Sequence, residues 1–346
     1  MADPHPSDRH GRPLGVLRLS LTARCNLACP YCLPDGQDPP GLLTLEQRRA
    51  VVAAAVALGA RSLRLTGGEP LLHPDLEALI ESVQPLRQGG LRELALTSNG
   101  LLLTAERARA LRQAGLDRLT LSLDGTTGAS VARMAGLADA TAGTRALERV
   151  LAAIEHARAA GFDPAQGALK LNAVIQRGAN ADELLPLAGL ARERGVELRL
   201  IEFMDVGNRN GWRPEAVLPA AEMVARIGER WPLEPLGRGR HGTASRWRYR
   251  DGGGVLATVA SISAPFCGDC NRLRVTADGF AYTCLFAPPG SGLDLRPWLA
   301  PGCPAAALRE AIASLWRQRA DRASEERGEA PLPRPMPHVE MARLGG

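Results

Sequence analysis

Lysine is almost absent from this chain: Lys170 is the only one among 42 basic residues, the others being arginine. Such a bias reflects base composition, because arginine serves a solvated surface as well as lysine. A single lysine kept inside a strand-like run marks a place where a compact ammonium matters. Aromatic residues are scarce too, at 4% of 346 residues, whereas 45% of the chain is apolar. The core must be built from aliphatic side chains, and a soluble globular protein of one large domain, or one large and one small, is expected. The longest apolar run, Ala50–Leu58, is too short to span a bilayer. The first residues, MADPHPSDRHGR, hold no hydrophobic segment of a secretory signal, so no membrane association is expected. No arginine-rich run is interleaved with aromatics, so a net charge of +5 points to a small polyanion rather than to nucleic acid. Seven cysteines in so long a chain are no small secreted disulfide scaffold. They group as Cys25/29/32 and Cys267/270/284, with Cys303 left over, which reads as metal binding in a reducing, cytoplasmic compartment.

The stretch RCNLACPYCLP, Arg24 to Pro34, carries the first group in the spacing C-x3-C-x2-C, with Tyr31 before the last thiol. A closed tetrahedral zinc site wants four ligands, and no fourth lies nearby. A [4Fe–4S] cluster held by three cysteines leaves one iron open to an exogenous ligand. A zinc knuckle is the competing reading.

From Leu17 to about Met204 short β-like runs alternate with helical stretches. The runs are Leu17–Leu21, Ser62–Thr66, Glu93–Thr97, Arg118–Leu123, Leu169–Ile175 and Glu197–Phe203. The capping box Thr44-Leu45-Glu46-Gln47 opens a helix that stops at Gly59, and Pro74 starts another. Thr104 caps a third that ends at Gly115; Gly143–Ala160 and Ala181–Arg194 follow. Six βα units imply an α/β fold with a parallel sheet curled into a partial (β/α)6 TIM-like barrel, an open doubly wound sheet being the alternative. The strands alternate. Leu17, Leu19 and Leu21 are interleaved with Arg18, Ser20 and Thr22; Leu63 and Leu65 with Ser62, Arg64 and Thr66; Leu171, Ala173 and Ile175 with Lys170, Asn172 and Val174. If the leucine face packs on helices, the other face lines a lumen. A lumen holding Arg18, Arg64, Lys170 and also Arg199 needs an anion, and several inward cations suit a polyphosphate. Thr66-Gly67-Gly68-Glu69-Pro70, Thr97-Ser98-Asn99-Gly100 and Ser122-Leu123-Asp124 sit at strand ends, where barrel active sites lie.

After Met204 the alternation stops. Ala221–Glu229 reads as a helix and Pro232–Gly242 as a connector. Cys267-x2-Cys270-x13-Cys284 is a second triad one thiol short of a closed zinc site, with Asn271-Arg272-Leu273-Arg274 beside it. The division expected is 14–230 for the barrel, 241–330 for a C-terminal iron–sulfur and substrate-binding extension, and 331–346 for a flexible tail ending in Gly345-Gly346.

The stretches GRPLGVLRLSLTARCNLACPYC, LRLTGGEP, LTSNGLLL, LSLDG, LKLNAVIQRG, IEFMDVGNRNGW and FCGDCNRLRVTADGFAYTCLF, with the terminal Gly-Gly, together resemble the GTP 3′,8-cyclase family of molybdenum-cofactor biosynthesis, within the radical S-adenosylmethionine (SAM) superfamily. That resemblance implies a lyase that converts GTP to (8S)-3′,8-cyclo-7,8-dihydroguanosine 5′-triphosphate. It implies that Cys25, Cys29 and Cys32 hold one [4Fe–4S] cluster, and that Tyr31, Gly68, Ser122 and Met204 contact SAM. Cys267, Cys270 and Cys284 would hold a second [4Fe–4S] cluster whose open iron takes the guanine. Arg18, Arg64, Thr97, Lys170, Arg272 and Arg274 would contact GTP, and Gly345 and Gly346 would reach into the active site. A reductant protein and a downstream cyclic pyranopterin monophosphate synthase are the implied partners, for a monomer or homodimer. Many members carry a second basic residue where this chain has Ser62. A radical SAM enzyme acting on a peptide, and a non-catalytic zinc protein binding nucleic acid, are the alternatives.

Overall fold

The computed structural model describes residues 5–34, 36–327 and 337–345. The alternating runs form the expected βα series: β1 (Val16–Ser20), α1 (Leu45–Ala57), β2 (Ser62–Thr66), α2 (Leu76–Ser82), β3 (Glu93–Ser98), α3 (Ala105–Ala114), β4 (Arg118–Ser122), α4 (Gly128–Ala135), α5 (Ala140–Ala159), β5 (Leu169–Ile175), α6 (Leu184–Glu193) and β6 (Glu197–Glu202). The sequence-legible caps are made. Thr44 Oγ1 accepts from Gln47 N at 3.2 Å while the Gln47 carboxamide accepts from Thr44 N at 2.9 Å. Thr104 caps α3, which ends on Gly115 at φ +105°, the left-handed conformation that glycine adopts without strain. α5 differs from its expected start. It begins at Ala140 under an Asp139 cap, and Gly143 lies inside it, because Gly143 and Gly128 are where α5 and α4 touch. α4 itself has no counterpart in the expected elements.

The remaining chain is α7 (Ala220–Arg230), β7 (Leu233–Arg238), β8 (Ser245–Tyr249), β9 (Val255–Val259), β10 (Arg272–Val275), β11 (Phe280–Tyr282), β12 (Leu293–Asp294), α8 (Ala305–Gln318), α9 (Ala323–Glu326) and α10 (Met341–Leu344). The expected connector 232–242 is in fact largely β7, paired antiparallel with β8. All strands belong to one sheet in the order β12-β11-β10-β1-β2-β3-β4-β5-β6-β9-β8-β7. β1 to β6 run parallel, β9 joins β6 and β10 joins β1 in the same sense. The sheet does not close on itself by hydrogen bonds, so it is a partial barrel extended at both edges by the C-terminal half of the chain.

The pleat sorts the strand residues as the alternation requires. Leu17, Leu19, Leu63, Leu65, Leu94, Leu96, Leu119, Leu121, Leu169 and Leu171 are buried in the helix-facing core with Val51, Val52, Leu79, Ile80, Leu111 and Ile154. The opposite face carries Arg18, Arg64, Arg118, Thr120, Asn172 and Arg199 into a cavity. Of the tail, residues 337–345 lie against the sheet: Leu344 is buried with Val339, Tyr282 and Ala287.

A side chain at Gly143 would run into the carbonyl oxygen of Gly128. Gly143→Ala should therefore destabilise the apoprotein by about 1–3 kcal/mol through overpacking, despite alanine's better helix propensity. A lowered urea midpoint at unchanged slope is the expected result, and a raised midpoint would show that α4 and α5 can part freely.

Candidate active site

The first cysteine loop follows β1 and is fixed from several sides. The Asp38 carboxylate accepts from Thr22 Oγ1 at 2.6 Å and Ala23 N at 2.7 Å, and pairs with Arg24 at 2.8 Å. Buried Arg48 of α1 donates to Leu21 O at 3.2 Å. The Gly67-Gly68-Glu69 turn after β2 packs flat on the loop, with Gly68 N donating to Thr22 O and Glu69 N to Arg24 O, both at 2.8 Å. A Cβ on Gly68 would overlap the Arg24 carbonyl, so only glycine lets the two backbones meet. Glu69 accepts from Leu71 N, Ser98 Oγ and Asn99 N at 2.9, 2.8 and 2.7 Å, which ties the loops after β2 and β3 together.

Cys25, Cys29 and Cys32 rim a cavity of about 190 Å3 together with Tyr31, Gly68, Thr97, Ser122, Asp124, Asn172 and Met204. The Tyr31 hydroxyl donates to Asp124 Oδ2 at 2.6 Å, and Val174 N donates to Asp124 Oδ1 at 2.8 Å. Burial pushes the Asp124 and Glu69 carboxyls up to about 6. It also raises all three thiols, Cys32 to about 12, with their mutual charge adding to the effect for Cys29 and Cys32. Burial opposes three separate thiolates at this rim, and a shared cation would offset that cost.

The second triad sits at the other end of the lumen. Val16 at the start of β1 is level with Arg272 at the start of β10, so Cys270 precedes the strands whereas Cys25 follows them. From that row to Ser20 the strand rises about 13 Å, four residues at about 3.3 Å each. Cys267, Cys270 and Cys284 rim a second cavity of about 160 Å3 with Arg18, Arg64, Thr97, Asn172, Arg272 and Arg274. The two cavities share Thr97, Asn172, Ile201 and Met204, so they meet at one wall. Burial alone would raise the Cys270 thiol, but Arg272 and Arg319 outweigh it and bring it down to about 7, while burial and Asp321 push Cys284 up to about 12. Among the described residues no three His, Cys, Asp or Glu side chains close on a single-ion position. Each triad does present three sulfur donors to one cavity, the donor set of an iron–sulfur cluster, in which separate thiolates bind separate irons.

Between the triads lies a rung of cations. In register, Arg18 is flanked by Arg274 on β10 and Arg64 on β2, and two strands beyond Arg64, past Ala95 on β3, stands Arg118 on β4. Burial and the neighbouring arginines lower Arg18 well below its usual value, Arg64 to about 9 and Arg274 to about 10. Arg64 Nε is buried with no hydrogen-bond partner, and so is Asn172 Oδ1 on the shared wall. Ser62 donates to Glu93 at 2.8 Å and Glu93 pairs with Arg118 at 2.9 Å, so the position that lacks a basic residue feeds the counterion of its neighbour.

Lys170 departs from the expected set. It is buried but lines neither cavity; its ammonium pairs with Glu197 at 2.9 Å, as do Arg199 at 2.8 Å and Arg246 at 3.1 Å. Burial opposes ionisation of Glu197, yet Arg199 and Lys170 hold it down at about 2. The tail reaches the rung. Arg274 Nη1 donates to the Leu344 and Gly345 carbonyls at 3.0 and 3.1 Å, and Ser20 Oγ donates to Arg343 O at 2.9 Å. Gly345 is packed against Thr66 and Ser20, at φ +65°. Gly346 lies outside the described residues.

Three features escaped the sequence reading. Arg118 and Glu197 could have been found, since both continue the period-two polar face. The third could not. Asp8, near the N-terminus, pairs with Arg12 at 2.5 Å and with Arg319 at 3.4 Å. Arg12 donates to Cys267 O at 2.7 Å and Arg319 to Cys270 O at 2.6 Å, so a buried ion triad grips the second cysteine loop from behind.

Comparison with known proteins agrees with this geometry. The Radical SAM superfamily profile matches residues 19–191 and the Molybdenum Cofactor Synthesis C profile residues 196–325. The chain is 61% identical over 345 residues to a GTP 3′,8-cyclase of Parasynechococcus marenigrum (strain WH8102), with 98% of each chain covered. It is 47% identical over 347 residues to one of Xanthomonas campestris pv. campestris (strain B100), covering 98% of this chain and 97% of the other. In fold it is similar to Streptococcus suis SuiB bound to precursor peptide SuiA, with TM-score 0.63 at 14% identity over 93% of this chain and 68% of that one.

Asp8→Ala would strand Arg12 and Arg319 without their shared counterion. Removing one partner of a buried ion pair costs about 3–5 kcal/mol, and chemical unfolding of the apoprotein should show a loss of that size. A loss below about 1 kcal/mol would mean that the backbone carbonyls, with Asp321 pairing Arg319 at 2.9 Å, hold both guanidiniums without Asp8.

Proposed function

The chain belongs to the GTP 3′,8-cyclase family of radical SAM enzymes, and from that premise we propose a residue-level account of its site. It is a lyase of molybdenum-cofactor biosynthesis that acts on GTP. The observation that carries the account is the single lumen with a thiol triad at each end and a cation rung between.

Cys25, Cys29 and Cys32 would hold the [4Fe–4S] cluster of the superfamily, and Cys267, Cys270 and Cys284 a second. SAM would lie in the cavity bounded by Tyr31, Gly68, Ser122 and Met204. When bound and reduced, the first cluster with SAM supplies a carbon radical able to take a hydrogen atom from a ribose. The rest is positioning. Arg18, Arg64, Arg272 and Arg274 present a field that a multiply charged anion would offset, which supports a seat for the triphosphate on the rung. Thr97, on the wall shared by the two cavities, then faces the ribose side. Holding two reactants in one enclosed space supplies the proximity that a free encounter in water lacks. Lys170 joins from the next rung, where it is level with Thr120 and Glu197. Gly345 lies beside Ser20 and Thr66, which supports the reading that the Gly-Gly tail works inside the lumen. The division into 14–230, 241–330 and 331–346 assigns these tasks to barrel, extension and tail. A reductant protein for the clusters and a cyclic pyranopterin monophosphate synthase taking the product are the partners this reading requires. No helix among the described residues is long and apolar enough to cross a membrane.

The deciding experiment is anaerobic: load iron and sulfide, add SAM and dithionite, and quantify 5′-deoxyadenosine with and without GTP. Formation that depends on GTP is expected. Formation indifferent to GTP would separate the substrate assignment from the radical chemistry, and none at all from iron-loaded protein would remove both.

Burial and Arg199 bring Lys170 down to about 8, against the pull of Glu197. Lys170 lines neither cavity, so its charge would act on a triphosphate through the lumen rather than by contact. The KM for GTP should still rise as pH climbs through about 8, by about two- to threefold for loss of one nearby charge. Lys170→Arg stays charged and should flatten that rise. An equally steep rise in the arginine variant would show that another group is titrating.

A further inference from the structure

The motif Gly207-Asn208-Arg209-Asn210-Gly211-Trp212 has no place among the binding residues above, yet its structure is elaborate. Asn210 Nδ2 donates to Met204 O and Val206 O, both at 3.0 Å, and Trp212 Nε1 donates to Phe203 O at 3.0 Å. These bonds shape a rigid turn after β6. Asn208, exposed at its tip, meets the C-terminal segment in both directions. Its Oδ1 accepts from His338 N at 2.9 Å and its Nδ2 donates to His338 O at 2.7 Å, the exchange a neighbouring β-strand would make. Asn208 N also donates to Glu340 Oε1 at 3.1 Å, and Arg209 Nε lies 3.5 Å from the same oxygen. Gly207 has φ +85°, and a Cβ there would overlap the Glu340 carboxylate. Arg209 Nη2 donates to Leu33 O at 2.7 Å, which joins the turn to the first cysteine loop.

We propose that Asn208 and Glu340 are positioning residues, a latch that sets the register of the C-terminal segment so that Gly345 falls between Ser20 and Thr66. This rests on the reading that the Gly345-Gly346 tail works inside the lumen. The reach is short: Glu340 is held at the turn, and five residues later Gly345 is bonded to Arg274. Met341 and Ala342, between those two anchors, wall the SAM-side cavity. Without the latch, the segment keeps its carbonyl bonds to Arg274 and Ser20, the bond from Val339 N to Ala287 O at 3.0 Å, the His338 ring against Phe286 and the burial of Val339 and Leu344, but it loses the contacts that join it to the turn after β6. The same turn carries Met204, so the tail, the first cysteine loop and the wall between the cavities are fixed to one another.

The test compares three holoenzymes with the parent, Asn208→Ala, Glu340→Ala and a chain ending at Leu344, and adds the pair Asn208→Asp and Asn208→Asp with Glu340→Gln. Iron content and the cluster absorption should match the parent in all three. For Asn208→Ala, kcat for GTP-dependent 5′-deoxyadenosine should fall about tenfold or more with little change in KM for GTP, and carboxypeptidase should release C-terminal residues about tenfold faster, as the loss of two or three hydrogen bonds predicts. Glu340→Ala, on the other partner, should move both readouts the same way. Adding Glu340→Gln to Asn208→Asp should recover part of the loss seen in Asn208→Asp alone, because it removes the like charge. If the shortened chain turns over normally, the tail reading fails and the latch with it. If the shortened chain is dead but Asn208→Ala and Glu340→Ala keep parental turnover or parental carboxypeptidase resistance, the tail reading stands and the latch is overturned.

Discussion

Three arginines side by side on one rung of a parallel sheet, with a fourth two strands on, repel one another, and the structure around them exists to keep them there. Adjacent strands are about 4.8 Å apart, and two unit charges at that distance oppose each other by roughly 3 kcal/mol at an effective dielectric of about 20. A packed lumen would exclude such a rung. Arg274, Arg18, Arg64 and Arg118 are tolerable because leucines anchor the other face of the same strands, so the pleat leaves the guanidiniums nowhere else to go. Burial and mutual repulsion lower their basicity, and a polyanion is the ligand that would offset both.

The same pleat explains what was legible in advance. Period-two alternation named the strands, the apolar face and Arg18 and Arg64, because that signal is local and survives in any parallel sheet packed on helices. Capping chemistry at Thr44 and Thr104 was legible for the same reason. The α4–α5 contact was not, because Gly128 and Gly143 are meaningful only as a pair. Nor was the pairing of Lys170: its strand position was right, but Glu197 lies 27 residues on, and periodicity does not say which opposite charge will be level with it. Contacts such as Arg319 to Cys270, or Arg12 to Cys267, 255 residues apart, are set by topology and have no local trace.

Topology also places the two thiol triads at opposite ends. Parallel strands put every following loop at one mouth and every preceding loop at the other. Cys25, Cys29 and Cys32 follow β1, whereas Cys267 and Cys270 precede β10 in the same orientation. The antiparallel return of β11, with Tyr282 level with Arg274, brings Cys284 to the lower mouth as well. One added strand at the sheet edge thus sets two similar motifs at the two ends of one lumen.

The tail adds the remaining constraint. Arg274 belongs to the cation rung, yet its Nη1 is committed to the Leu344 and Gly345 carbonyls. A guanidinium has five donors, so the rest of the fork still faces the lumen. Two carbonyl dipoles directed at a buried cation offset part of its desolvation without neutralising it, which a carboxylate in their place would do. A backbone segment ending in glycine can supply those carbonyls at close quarters because no side chain intervenes: a Cβ on Gly345 would overlap Thr66. The rung keeps its charge while the tail shares its burial, so the cation field and the seating of the tail depend on the same arginine.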